Sequence, residues 1–188
     1  MNEALHCHNF KDFLNLFAAI LKYPKKLLRR RHINRLKQHT VKYYAKRFSA
    51  HTFVESGTYK GDMVKAVKKT FEKIYSIELD EQLYKRAERM FRRYKHITII
   101  RGDSSEILPK TADIFWLDAH YSGRMTAKSF PIMRELKRIN NFSVILIDDA
   151  RKYMKNEYGN IEDLKEFISR KWPNSKFEVK DDIIRITN

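Results

Sequence analysis

From residue 52 onward, short apolar runs alternate with stretches of helical periodicity. Thr52-Phe53-Val54 is rich in β-branched and aromatic residues and predicts a strand. Val64, Val67 and Phe71 then recur on one face of a helix. Ile74-Tyr75-Ser76-Ile77-Glu78 is a second strand, followed by a helix over 81–95 with Leu83, Ala87, Met90 and Phe91 inward. Ile97-Thr98-Ile99-Ile100 has the run expected of a strand buried on both faces. A short helix over 104–108 stops at Pro109, and 113–117 forms a fourth strand. A helix over 126–140 carries Ile132, Leu136 and Ile139 on one stripe, and 143–147 is the fifth strand. The last helix, over 161–172, turns Ile161, Leu164, Phe167 and Ile168 inward. Lys176 to Val179 and Ile183 to Ile186 form a hairpin across Lys180-Asp181-Asp182.

Strand–helix alternation that closes with a hairpin predicts an α/β fold. The expected architecture is a Rossmann-like, doubly wound, mostly parallel sheet of seven strands with an antiparallel C-terminal hairpin. Residues 51–188 make up this domain, and residues 1–50 an N-terminal helical extension. In the extension, Phe10, Phe13, Leu14, Phe17 and Leu21 recur at helical spacing. Tyr23-Pro24 marks a boundary, because the residue before proline avoids the α region. A second helix runs from Pro24 to about Phe48, with Leu27, Leu28, Ile33, Leu36, Val41 and Tyr44 available to bury.

Charge changes the picture of the extension. The net charge is +16, and Phe13 to Val54 contains 11 Lys or Arg with no Asp or Glu. Three readings stand for this segment. It can be a helical cap with a solvated basic face, a patch for an anionic partner such as lipid headgroups, a phosphorylated glycan carrier or nucleic acid, or a homo-oligomer contact through the Phe/Leu stripe. The single cysteine, Cys7, excludes an internal disulfide. His6-Cys7-His8 lacks the spacing of a structural zinc site and reads as a surface tract. The apolar stretch from Phe13 to Leu21 is too short to span a bilayer, and its basic residues follow rather than precede it. A cytoplasmic protein, peripheral to a membrane if the basic face binds one, is the expectation.

The candidate chemistry lies at strand ends. After the first strand comes Glu55-Ser56-Gly57-Thr58-Tyr59-Lys60-Gly61, a turn with two glycines, and Asp62 is placed to cap the next helix. Glu78 ends the second strand 21 residues after Gly57, the spacing at which Rossmann-like folds hold ribose hydroxyls. A solvated strand end is the plainer reading of that acid. Asp103, Asp118, Asp148 and Asp149 also follow strands. Each could be an ordinary helix cap, but six acids on one sheet edge repel one another unless a cationic ligand is shared among them.

These residues resemble the class I S-adenosylmethionine (SAM)-dependent methyltransferases. The first motif of that family is an acid, one residue, Gly, three residues, Gly, which Glu55 to Gly61 fits; the resemblance runs from about Thr52 to the C-terminus. The dehydrogenase pattern Gly-x-Gly-x-x-Gly is absent, since Tyr59 and Asp62 stand in its glycine places. The resemblance implies that Glu55, Gly57, Thr58 and Gly61 lie along the cofactor, Glu55 near the methionine ammonium. It implies that Glu78 accepts from both ribose hydroxyls, and that Asp103, with Ser104 beside it, accepts from the adenine amino group.

Asp118 with Asp148-Asp149 resembles the metal-dependent O-methyltransferases of the catechol and macrocin types, which implies a Mg²⁺ held by Asp118, Asp148 and Asp149. The catalytic candidates are Asp118 and His120, the histidine either as general base or as an orienter of its loop. Catechol-type enzymes have a lysine in this loop; here Tyr121 stands, with no lysine before Lys128. The Asn-Pro-Pro-Tyr type of motif common in amino-group methyltransferases is replaced by Asp118-Ala119-His120-Tyr121, which favours oxygen as acceptor. The expected activity is O-methylation of a hydroxyl on a saccharide or other small acceptor. The alternative is a nucleic-acid-binding protein or an RNA methyltransferase using the basic segment, with Tyr43 and Tyr44 among its basic residues.

Overall fold

The computed structural model describes residues 25–118, 131–155 and 157–188, with side chains of the first helix described from residue 33. The Phe/Leu stripe, the His6-Cys7-His8 tract and His120 lie outside the described residues. The elements in chain order are α1 (Lys25–Arg47), β1 (Thr52–Ser56), α2 (Asp62–Val67), β2 (Lys73–Glu78), α3 (Glu81–Phe91), β3 (Ile97–Arg101) and α4 (Ser104–Ile107). They continue with β4 (Ile114–Leu117), α5 (Ile132–Arg138), β5 (Val144–Ile147), α6 (Ala150–Met154), α7 (Ile161–Lys171), β6 (Lys176–Lys180) and β7 (Ile183–Thr187).

The strands form one seven-stranded sheet in the order β3-β2-β1-β4-β5-β7-β6. β1 pairs parallel with both β2 and β4, and β7 closes antiparallel against β5 and β6. The predicted doubly wound sheet with its antiparallel edge is what forms. Winding reverses between β1 and β4, and ligands of such sheets bind at that reversal, outside the strands' carboxyl ends.

The apolar runs explain the sheet's position. β4 and β5 are buried along their whole length, as strands covered on both faces must be. One face packs Phe53, Ile74, Trp116 and Leu146 against Val64, Val67, Phe71 and Phe91. The other packs Val54, Phe115, Ile145 and Ile147 against Leu136, Leu164 and Ile168. The chain divides into two compact units, residues 1–37 and 38–188. The last turns of α1 belong to the larger unit, where Val41, Tyr44 and Ala45 are buried.

Candidate active site

The glycine turn is fixed from both sides. The N–H groups of Gly57 and Thr58 donate to the Ile77 carbonyl at 2.9 and 3.1 Å, which ties the turn to the end of β2. Gly57, Tyr59 and Gly61 all have positive φ, at 87°, 48° and 72°. At Gly61 a side chain is excluded twice over. Its backbone is left-handed, and an added Cβ would meet the Phe91 ring at 2.9 Å. Gly61 therefore lets α2 and α3 pack closely, whatever it also does for a ligand. It is also the N-cap of α2. Asp62, expected to be the cap, is instead the first helical residue, with its carboxylate on Lys65 at 3.4 Å.

Glu78 reaches back to this turn. One carboxylate oxygen accepts the Tyr59 N–H at 2.7 Å and the other the Asp80 N–H at 2.9 Å. The side chain is held at the end of β2, and each oxygen keeps a second lone pair for a ligand hydroxyl. Asp103 caps α4 by accepting the Ser105 N–H at 2.8 Å, so the plain capping role is realised here. Its second carboxylate oxygen has acceptor capacity of its own.

Glu55 and Thr58 meet in a buried chain of hydrogen bonds. Ser76 donates its hydroxyl to Glu55 at 2.5 Å, and Thr58 Oγ1 lies 2.6 Å from the same Ser76 oxygen. Burial holds the Glu55 carboxyl well above its ordinary range, against the lowering effect of the Ser76 hydroxyl; Asp118, Glu78 and Asp62 raise it further.

Ser104 also faces inward, donating to Glu135 at 2.5 Å. Glu135 is only 1% exposed and is absent from the sequence-based set of site residues. Burial raises its carboxyl to about 7, the Ser104 and Ser56 hydroxyls work against the rise, and Asp103 and Asp118 add to it. A signal for it exists in the sequence: Glu135 falls on the Ile132/Leu136/Ile139 stripe, where an acid has no reason to sit in a plain core helix.

Asp118, at the end of β4, is half-buried and donates its backbone N–H to the Ser56 carbonyl at 3.1 Å, beside the glycine turn. The fifth strand's acids are engaged elsewhere. Asp148 accepts the Asp149 N–H at 2.7 Å. Asp149 adopts a left-handed conformation, φ 56°, and pairs with Arg151 at 3.0 Å. Arg151 is held in turn by Asp182 in the β6–β7 turn. Among the described residues, no three His, Cys, Asp or Glu side chains converge to hold a metal ion. The expected Mg²⁺ shell of Asp118, Asp148 and Asp149 is therefore not assembled. Asp149 is turned toward a guanidinium and Asp148 folds back onto the backbone, so this donor set does not fit the metal.

No family model matches the sequence, and no curated protein matches it. Solved structures do match the fold. A candidate caffeoyl-CoA O-methyltransferase from Staphylococcus aureus aligns with a TM-score of 0.61 at 16% identity, over 94% of this chain and 91% of that one. The SAH-bound methyltransferase PaMTH1 from Podospora anserina aligns with a TM-score of 0.59 at 15% identity, over 100% of this chain and 99% of that one. The 23S rRNA methyltransferase ErmE aligns with a TM-score of 0.54 at 17% identity, over 80% of this chain and 67% of that one. The chain thus has the class I fold of the SAM-dependent methyltransferases. Acceptors named for these neighbours differ, so the fold leaves the acceptor open.

Proposed function

We propose that the chain is a SAM-dependent methyltransferase that O-methylates a hydroxyl of a saccharide or other small acceptor. The observation that carries the cofactor is Glu78, whose carboxylate is fixed at the end of β2 by the Tyr59 and Asp80 amides. It stands beside the reversal of the sheet, where a ribose diol can take both its oxygens. The surroundings also fit a cationic ligand. The charges acting most strongly on buried Glu55 are those of Asp118, Glu78 and Asp62, and on Glu135 those of Asp103 and Asp118; all are acids.

Glu55, Gly57, Thr58, Gly61, Glu78, Asp103 and Ser104 would line or support the cofactor side. When bound, the cofactor supplies a methyl group on a positively charged sulfur. The chain's part is to exclude water, align the acceptor hydroxyl and take its proton. Asp118 at the β4 end, with His120 two residues on, is the proposed acceptor of that proton. An anionic membrane surface or glycan carrier is the proposed partner of the basic helix α1.

The alternative keeps a specific support. Tyr43 is 48% exposed, with the Arg47 guanidinium donating to its hydroxyl at 3.0 Å, an exposed aromatic–cation pair of a kind that nucleic acid can use. Transfer of labelled methyl from SAM decides between the two. Label in small hydroxylated acceptors, and none in RNA at moderate salt, is the expected result. Label in RNA alone would overturn the O-methylation reading.

A further inference from the structure

Glu135 is a buried acid near the sheet edge that the proposed mechanism does not use, and of the buried acids there it is the least exposed among the described residues. It lies on α5, yet it bonds a residue beside the end of β3 and feels the charge of one at the end of β4. Its carboxylate receives the Ser104 hydroxyl, next to the Asp103 turn that follows β3. The charge of Asp118, at the end of β4, also acts on it, and the Asp118 N–H donates to the Ser56 carbonyl at the end of β1 at 3.1 Å. The ends of β1, β3 and β4 are the walls of the ligand site in a sheet of this winding. Glu135 therefore lies close to the ends of these strands.

A role in folding alone is a poor explanation. A buried carboxylate without a cation destabilises a fold, and a leucine or glutamine at this place would pack without that cost. The acid is useful if a positive charge arrives from outside the chain.

We infer that Glu135 makes the site favour the positively charged cofactor over its neutral, demethylated product. This rests on the reading of the site as a SAM site. The donor carries a charge on sulfur, and the product that must leave does not. A carboxylate buried below them attracts the first and is indifferent to the second, so spent cofactor is released while donor is retained. Among the described residues, the other titratable groups acting on Glu135 are Asp103 and Asp118, both acids, and the Tyr153 phenol on α6 lies within its reach. Burial raises the phenol's own titration, so it stays neutral. Lys171 of α7 reaches this helix only at the Leu136 and Lys137 carbonyls, 2.7 Å from each. Its ammonium is thus spent on backbone at the next turn.

The test is calorimetric titration of the full chain with SAM and, separately, with S-adenosylhomocysteine, at pH 6 and pH 8. In the wild type the ratio of SAM to S-adenosylhomocysteine affinity should rise with pH as the Glu135 carboxyl ionises. At pH 8, Glu135→Gln should lower that ratio about tenfold, a size ordinary for one charge pair in a partly shielded site. A ratio unchanged by the substitution would overturn the inference. Should the variant fail to fold, the wild type still decides. Titrations in buffers of different ionisation enthalpy should show more proton release on SAM binding than on product binding. Equal proton release for the two ligands would overturn it. Tight binding of both ligands with a pH-flat ratio removes this inference alone. No binding of either removes the cofactor reading and this inference with it.

Discussion

At the scale of single residues, the acids at the carboxyl edge divide by what their oxygens hold. Glu78 is held by backbone amides, Asp103 caps a helix, Asp149 pairs with Arg151, and Glu55 and Glu135 are buried on hydroxyls. The last two make stability depend on pH. For Glu135 the folded-state value is about 7 against an ordinary 4.5, so the folded protein holds this proton more tightly than the unfolded chain does. Its contribution is complete below about pH 4.5 and is lost as pH rises through 7, to a total of about 3 kcal/mol. Denaturant unfolding at pH 5 and pH 8 should show the wild type losing more stability than Glu135→Gln over that interval. Equal losses would mean that this carboxyl ionises freely in the fold. Gly61 gives a second expectation. Gly61→Ala forces a left-handed residue against the Phe91 ring and should lower stability by about 1–3 kcal/mol, read as a fall in Tm. An unchanged Tm would show that α2 and α3 separate easily.

At the scale of elements, what was legible in the sequence followed the apolar runs. The strands from Ile114 and Val144 are continuous apolar segments buried throughout, whereas the strand from Ile97 forms where the pattern places it but is the sheet's edge strand and partly exposed, not buried on both faces as expected. Helix ends were less legible, because local hydrogen bonds set them. The helix after the glycine turn begins at its expected cap, Asp62, since a left-handed Gly61 takes the capping place, and it ends at Val67. The helix expected over 81–95 ends at Phe91, where the Tyr94 N–H donates to the Phe91 carbonyl and closes a turn. Helix α6 has five residues and too little apolar periodicity to be seen; Asp182, remote in sequence, holds its first turn through the Ala150 and Arg151 amides. The site was half legible for the same reason. Glu78's place in the candidate site is read from spacing, whereas Glu135 joins the candidate site only when α5 packs beside Ser104. Helix α1 carries its own expectation. Val41, Tyr44 and Ala45 are buried in the larger unit, and each large buried side chain contributes about 1.5–3 kcal/mol. A chain beginning at Gln38 should unfold cooperatively, and one beginning at Phe48 should have a Tm lower by many degrees or not fold. Equal Tm values would show those contacts to be dispensable.

At the scale of the molecule, the charge is unevenly distributed along the chain. The sheet's carboxyl edge gathers Glu55, Glu78, Asp103, Asp118 and Glu135, in a chain whose net charge is +16. Such an edge in so basic a protein is a place for a cation, and helix α1 supplies basic residues for an anion. No helix among the described residues is long and apolar enough to cross a membrane, so attraction to a membrane would act through charge. Binding of the cofactor underlies every proposed role of this edge. Its most direct test is calorimetric titration of the full chain with SAM, beside the Glu78→Ala variant. The wild type should bind one equivalent, and the variant should bind about 10- to 100-fold more weakly, the loss of a charge-assisted pair of hydrogen bonds of roughly 1.5–3 kcal/mol. Equal affinity in the two proteins, or no binding by the wild type, would contradict it.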